Sequence, residues 1–323
     1  MKQLAKPSGF AFLLMFVAFL YLQMASKSSL GLILLQGFLG IVSFVGIYYL
    51  YQKNKHIPHY DSQSVPTLIK ESVCIVSGAM VTYLVIMLFD SWVNAIVVSG
   101  LVGVMGSVIF KKMEGPIFLG SFVGMTSATF MVSYEVFVAA VISVLTYAFL
   151  RPLFKGVGGK AGFSAFVGVI VTSIIFQTPL LATPLVAYQL PSMMSILIAL
   201  GVFGLMRVLL DYGKLSSCFS SAIVGVILGL LALIPAFFNE YYLFLIGYAF
   251  SFVMMSEKAI LPLWAQIASI VLITVYFGWF QTSFIGFGGK LGMMAFIVSL
   301  LMFAISTGIS KFKNQIHQRL LHK

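Results

Sequence analysis

Charged residues, and acidic residues above all, are scarce in this chain. Only 8 of its 323 residues are Asp or Glu and 4 are His, and charged side chains make up 8% of the composition against 61% for hydrophobic ones. So little polar surface cannot cover a soluble globule, and apolar runs of about 20 residues have the length that spans a bilayer. The composition therefore predicts an all-α, polytopic membrane protein without a separate soluble domain.

Cysteine is equally rare. The two thiols, Cys74 and Cys218, lie inside apolar runs, so they predict neither a disulfide framework nor a zinc site. His56 and His59 stand on either side of Pro58 in a polar loop, and the proline denies them the fixed helical face of a metal-binding pair. No metal site and no cofactor are predicted. Because no hydrolase, metalloprotease or nucleotide-binding motif is present either, the chain is not expected to be an enzyme.

Twelve apolar spans are predicted, which puts both termini on one side of the membrane. They lie near 9–26, 30–52, 71–89, 92–110, 116–132, 134–153, 161–182, 190–210, 216–237, 241–256, 260–280 and 289–309. Of the 19 Lys and Arg, all but Lys27 and Lys290 then fall on the side of the termini. Since positively charged loops stay in the cytoplasm, the sequence predicts a protein of the cell (inner) membrane with both termini cytoplasmic. The net charge of +11 follows from this topology and does not indicate nucleic-acid binding.

One region of the chain is repeated. The segment from Ser121 to Phe166 aligns without a gap on Ser251 to Phe296, a shift of 130 residues (251 − 121). Ser-Phe-Val-x-Met opens both copies, and Gly-x-Gly-Gly-Lys-x-Gly occurs at 156–162 and again at 286–292. Shared hydrophobicity does not account for four glycines and a lysine in register, so an internal repeat is predicted.

The repeat divides the chain into four parts. These are two N-terminal transmembrane helices with a cytoplasmic loop (1–65), a first five-span repeat (66–185), a second five-span repeat (186–310) and a basic cytoplasmic tail (311–323). Because five is odd, the second repeat enters the membrane inverted, as in many secondary transporters. This plan resembles, in architecture alone, the five-plus-five folds of urea channels and bile-acid-type sodium symporters, and no residue's role is taken from the resemblance.

The spans 116–132 and 241–256 are the first candidates for a binding site. Both are shorter than the ~20 residues of a straight span and occupy corresponding positions of the two repeats. We expect broken or re-entrant helices there, whose free backbone groups and hydroxyls line a polar cavity; the alternative is that small residues merely permit close helix packing. The candidate residues are Ser121, Gly124, Thr126 and Ser127 in the first span, and Ser251, Ser256 and Glu257 in the second.

The two glycine blocks are the second candidate. They precede the spans 161–182 and 289–309, where the free N–H groups of a helix N-terminus favour an anion. The alternative is a tight turn that needs glycine at positive φ. The candidate residues are Gly158, Gly159, Lys160, Gly288, Gly289 and Lys290.

Together these features predict a secondary-type transporter that moves a small, anionic organic solute by alternating access. No predicted span carries a carboxylate at its centre, so Na⁺ held by carbonyls and hydroxyls is an easier coupling ion to accommodate than H⁺. Two alternatives remain, namely a channel-like facilitator for a small solute and a non-transporting integral-membrane subunit or scaffold. The expected partners are the solute and membrane lipids, with the basic tail at anionic headgroups; a homo-oligomer is left open.

Overall fold

The computed structural model describes residues 11, 13–18, 21, 30–55, 65–89, 92–178, 192–280 and 283–321. All regular secondary structure in these residues is helical. The helical residues 11, 13–18 and 21 are followed by α1 (Leu30–Lys55), α2 (Val65–Phe89), α3 (Ala95–Ile109), α4 (Glu114–Gly124), α5 (Ser133–Leu153), α6 (Lys160–Ile175), α7 (Met193–Arg207), α8 (Ser217–Leu231), α9 (Tyr241–Met254), α10 (Leu263–Phe280) and α11 (Lys290–Leu321). A π-helical turn, Val208–Tyr212, continues α7, and a 3-10 turn, Pro235–Glu240, precedes α9. The loop with His56 and His59 lies outside the described residues, as does most of the first predicted span.

Several of these helices can cross a membrane. Five are long and apolar enough to do so: Pro66–Phe89, Ser133–Arg151, Met193–Tyr212, Leu263–Phe280 and Lys290–Gln315. The prediction of an all-helical, multi-pass membrane protein is confirmed at this level. The number of twelve spans stays a prediction, because α3, α4, α6, α8 and α9 have only 11 to 16 residues.

The helices differ in length and in the share of their surface that is buried. Helix α2 and the helix formed by α7 with its π-turn are long, yet only 28% and 22% of their most apolar windows are buried inside the protein, so most of their surface is left for lipid. Helices α4 and α9 are short, at 11 and 14 residues, or about 16 and 21 Å. Both are buried along most of their length, which their apolar and small residues allow. The interior of the protein thus contains helices too short to span the ~30 Å hydrocarbon core, together with the long helix α11, of whose most apolar window 78% is buried.

The two halves of the chain use the same set of helix contacts. In the first half (α2 to α6), α2 packs on α4, α5 on α6, and α4 on α6; in the second half (α7 to α11), α7 packs on α9, α10 on α11, and α9 on α11. The halves meet where α3 crosses α8 and where α6 crosses α11. A Cβ added at Gly100 of α3 would lie 2.6 Å from a backbone nitrogen of α8, and one at Gly229 of α8 would lie 2.5 Å from a backbone nitrogen of α3. Glycine therefore brings the backbones of these two helices into contact, as is common in membranes.

Helix α4 is shorter than its predicted span, 116–132. It ends at Gly124, because Thr126 and Ser127 make hydrogen bonds that do not continue the helix. The hydroxyl of Thr126 turns back to the last turn of α4, donating to the carbonyl of Val123 at 2.7 Å. The N–H of Ser127 donates to a carbonyl in the second half at 2.8 Å.

Helix α11 is longer than its predicted span, 289–309. It continues to Leu321, so most of the predicted basic tail, 311–323, forms the last turns of this helix. Residues 311–321 are rich in Lys, Gln, Arg and Leu, which are strong helix formers.

Candidate functional site between the two halves

Ser121 and Ser251 lie in the buried parts of α4 and α9. Each hydroxyl donates to a carbonyl of its own helix, at 2.8 Å for Ser121 and 2.7 Å for Ser251. Because this uses the only proton of each side chain, the second contact must be accepted: Ser99 of α3 donates to Ser121 at 2.9 Å, and Ser221 of α8 donates to Ser251 at 2.8 Å. In this conformation both serines join neighbouring helices of the same half.

The loops that follow α4 and α9 each bind the glycine block of the opposite half. The N–H of Gly158 donates to Ser256 Oγ at 2.9 Å, and the N–H of Gly288 donates to Thr126 Oγ1 at 3.2 Å. The two acceptors, Thr126 and Ser256, are related by the repeat shift of 130 (256 − 126), and so are the two donors, Gly158 and Gly288 (288 − 158). The same contact is therefore made twice, once in each direction. We call these two hydrogen bonds the docking contacts.

Backbone hydrogen bonds beside the docking contacts are duplicated as well. The N–H of Glu257 donates to the carbonyl of Gly156, and the N–H of Ser127 donates to the carbonyl of Gly286, both at 2.8 Å. Residue Glu257 is exposed, and a Cβ added at Gly156 would lie 2.8 Å from its Cδ. Gly124 faces its own half instead, since a Cβ there would lie 2.4 Å from a carbonyl oxygen of α2.

Glycine is required in the two blocks for two separate reasons. Gly159 and Gly289 precede α6 and α11 with a φ of +77° each, a left-handed conformation that glycine adopts without steric cost. Gly158 and Gly288 make close approaches: an added Cβ would lie 2.1 Å from a carbonyl oxygen of α9 or 2.4 Å from one of α4. A side chain at either position would push the loop away from the other half.

The first turns of α6 and α11 touch at Gly162 and Gly292. A Cβ added to either glycine would lie 2.5 Å from the Cα of the other. Because the two helices begin at Lys160 and Lys290, this contact brings two helix N-termini together. Each N-terminus carries N–H groups without a partner in its own helix and a partial positive charge.

The lysines of the glycine blocks bind backbone carbonyls. Lys160 Nζ donates to the carbonyl of Phe154 at 3.2 Å, and Lys290 Nζ donates to that of Ser283 at 2.7 Å. Phe154 directly follows α5, and Ser283 lies just beyond the end of α10. A cation at a helix C-terminus is favourable, so both ammonium groups offset the negative ends of these helices while remaining next to the glycine blocks.

A charged cluster that the sequence prediction does not include lies beside Ser256. Arg207, at the end of α7, donates to the amide oxygen of Gln266 and, at 3.5 Å, to Asp211. Lys258 donates to the other oxygen of Asp211 at 2.8 Å. Gln266 is fully buried and donates to the carbonyls of Leu261 at 2.9 Å and of Ser256 at 3.4 Å. Two cations and one carboxylate leave this cluster with a net positive charge.

The cluster belongs to the second half alone. The residue 130 positions before Gln266 is Val136, and no amide takes its place. In the first half, the hydroxyl of Tyr83 donates instead to the carbonyl of Met131 at 2.5 Å. The sequence signals for the cluster were a single amide inside the apolar span 260–280 and the i, i+4 spacing of Arg207 and Asp211.

Removing one docking hydroxyl is expected to destabilise the protein by about 1–3 kcal/mol, the usual cost of leaving a buried donor unpaired. In Ser256→Ala the buried N–H of Gly158 loses its acceptor, and in Thr126→Val the N–H of Gly288 does. The melting point of each purified variant in detergent measures the loss. Ser72→Ala is the control, since that exposed hydroxyl bonds to a carbonyl of its own helix. Equal melting points for the Ser256 and Ser72 variants would contradict the docking contact.

Metal-binding groups are absent from the part of the chain that the structure describes. No set of three or more His, Cys, Asp or Glu side chains there could hold a metal ion. Cys74 and Cys218 are free thiols, and both are half-buried.

A scan against protein-family models, a search of curated proteins and a search of solved structures each returned no match for this chain. The architectural resemblance to urea channels and bile-acid-type sodium symporters therefore rests on the plan predicted from the sequence. Function has to be inferred from the contacts between the two halves.

Proposed function

We propose that the protein is a secondary-type membrane transporter that moves a small, anionic organic solute by alternating access between two inverted five-helix repeats. The docking contacts carry this proposal, because each half donates from Gly158 or Gly288 to the equivalent hydroxyl of the other, at 2.9 and 3.2 Å. When two copies of one unit are related by a two-fold axis, every contact from the first to the second recurs from the second to the first. Repeats related in this way are the common plan of secondary transporters.

The helix count and the loop charges support the inverted orientation. Within the residues that the structure describes, each half has five helices, α2 to α6 and α7 to α11, and an odd number of crossings turns the second half over in the membrane. Arg151 and Lys155 of the first half correspond to Gln281 and Ile285 of the second, as expected if the second loop faces outward. Both termini would then be cytoplasmic, in the inner membrane.

Alternating access follows from the way the halves touch. At the crossing of α6 and α11 the backbones touch at Gly162 and Gly292, and beside this contact the rings of Phe163 and Phe296 pack with their centroids 4.9 Å apart. In each half the residues of the docking contacts precede this crossing in sequence: Thr126 and Ser256 follow the short helices α4 and α9, and Gly158 and Gly288 come just before α6 and α11. Two similar halves can exchange conformations about such a contact, and this exchange opens the site to one side and then to the other.

The electrostatics of the crossing support an anionic solute. The N-termini of α6 and α11 bring two partial positive charges together, and Lys160 and Lys290 lie at the same two helix ends. Two positive ends in contact repel each other, and a carboxylate bound beside them would offset this repulsion. Na⁺ remains the proposed coupling ion, with the hydroxyls and carbonyls around Thr126 and Ser256 as its ligands.

A melting-point screen of the detergent-purified protein tests the proposal. The probes are succinate, citrate and glutamate as anions, glucose and glycerol as neutral solutes, and choline and spermidine as cations, each in NaCl and in KCl. A ligand that binds the folded state stabilises it by about 2.7 kcal/mol at a hundred times its dissociation constant. We expect an anion to raise the melting point, and expect Lys160→Gln with Lys290→Gln to weaken that effect.

Each other outcome of the screen has a defined meaning. Stabilisation by neutral or cationic solutes alone would overturn the anionic substrate. An anion that acts equally in NaCl and KCl would remove Na⁺ coupling. Stabilisation by none of the probes would move the channel-like facilitator, or the non-transporting subunit, ahead of the carrier.

A further inference from the structure

An open cleft of about 600 Å³ lies outside the contact between the halves. One wall is the end of α1 with Tyr49 and Gln52, another is the segment after α9 with Lys258 and Ile260, and the third is α11 with Phe303 and Lys311. Its volume falls in the range of about 300–1,000 Å³ that is usual for small-molecule sites. The cleft thus joins the N-terminal helix to the second half.

The charge of the cleft is positive. Lys311 Nζ lies 4.0 Å from the centre of the Tyr49 ring, a cation–π contact that holds the ammonium group at one wall. Lys258 stands at another wall, where its Nζ is 2.8 Å from Asp211 Oδ1. None of the described residues that line the cleft is acidic, and Lys311 therefore carries most of the positive charge of the lining, because Lys258 is paired with Asp211.

The cleft also changes from apolar to polar along its length. Ile260 and Phe303 are buried and apolar, whereas Gln52 and Asn314 contribute amide groups. Along α11 the same change is found in sequence, because the apolar stretch up to Ile309 gives way to Lys311 and its basic neighbours. A soluble anion would use only the polar part of such a site. A phospholipid, with its charged headgroup above apolar chains, matches both parts.

We propose that this cleft binds the anionic headgroup of a phospholipid, with the phosphate between Lys311 and Lys258 and the start of the acyl chains against Ile260 and Phe303. This proposal does not depend on the transport proposal, although Lys258 also belongs to the charged cluster beside Ser256. Basic residues next to the apolar part of a membrane helix are typical of anionic lipid recognition. The lipid would hold α1 against α11 and the segment after α9.

The test is a binding titration of the full-length protein in detergent. The ligands are dioctanoyl phosphatidylglycerol, which is anionic, dioctanoyl phosphatidylcholine, which has no net charge, and glycerol 3-phosphate, which is the soluble headgroup. We expect saturable binding of phosphatidylglycerol and a loss of about fivefold in affinity for each of Lys311→Gln and Lys258→Gln, from the ~1 kcal/mol that one lysine contributes near an anionic surface. Lys311→Arg should retain binding.

Lys313→Gln is the matched control, since this exposed lysine lies two residues from Lys311 on the same helix but does not line the cleft. We expect its affinity for phosphatidylglycerol to equal that of the parent protein. An equal loss in the Lys313 and Lys311 variants would mean nonspecific attraction and would overturn the site. Equal binding of phosphatidylcholine would overturn the role of the headgroup charge, and equal binding of glycerol 3-phosphate would assign the cleft to a soluble phosphate.

Discussion

Replacing Gly162 with alanine is expected to lower the melting point of the purified protein by several degrees. The new Cβ would lie 2.5 Å from the Cα of Gly292, and neither backbone can move aside without shifting its helix. Overpacking of this kind costs about 1–3 kcal/mol. It outweighs the gain of up to about 1 kcal/mol that alanine brings in place of glycine inside a helix. Whether alanine at position 162 lowers or raises the melting point therefore depends on the contact between α6 and α11.

The matched control is Gly204→Ala in α7, where nothing lies within 4 Å of the added Cβ. We expect this variant to be as stable as the parent or slightly more so, because the conformational preference of alanine acts alone there. Gly292→Ala should reproduce the loss at Gly162. The double variant should lose less than the sum, since helices separated by one methyl group already accommodate the second. A Gly162 variant as stable as the Gly204 variant would mean that α6 and α11 do not touch at this point.

The glycine blocks illustrate what a sequence can and cannot predict. Their register, 156–162 and 286–292, is visible as repeated residues, and the need for glycine at positive φ is one of the two explanations the pattern offers. The structure has that conformation at Gly159 and Gly289. The partner of each remaining glycine is not visible in the sequence, because neither hydrophobicity nor repeat spacing says which helix faces which. The contact between Gly162 and Gly292 therefore emerges only from the fold.

Helix ends are predictable where they depend on local sequence. Hydropathy extends α4 to residue 132, but the helix ends at Gly124 because Ser127 bonds to a carbonyl about 160 residues away in the chain, at Gly286. The continuation of α11 past residue 309 depends on intrinsic helix propensity, which a span measured by hydrophobicity alone leaves out. The charged cluster at Arg207 depends on both. The i, i+4 spacing of Arg207 and Asp211 is visible in the sequence, whereas the contact between Arg207 and Gln266 arises only from the fold.

Cysteines placed at Thr129 and Ala259 are expected to react from opposite sides of the membrane. These residues are related by the repeat shift (259 − 129 = 130) and are both exposed, in the segments that follow α4 and α9. The inverted arrangement puts Thr129 outside, whereas Ala259, next to Lys258, lies inside. The measurement is labelling with a membrane-impermeant maleimide, in a background where Cys74 and Cys218 are replaced by alanine. In intact cells Thr129→Cys should react almost fully, and Ala259→Cys should react only after permeabilisation.

Two further positions calibrate this assay. Trp92→Cys, in an exposed segment between α2 and α3, should report the outside, and Lys112→Cys, exposed between α3 and α4, should report the inside. If Thr129 and Ala259 react from the same side while these two report opposite sides, the halves are parallel repeats related by an axis along the membrane normal. The docking contacts would still be duplicated by such an axis, but the halves could no longer exchange inward-facing and outward-facing roles. The side from which the two cysteines react therefore tests the alternating-access proposal directly, whereas the duplicated docking contacts are compatible with both orientations of the halves.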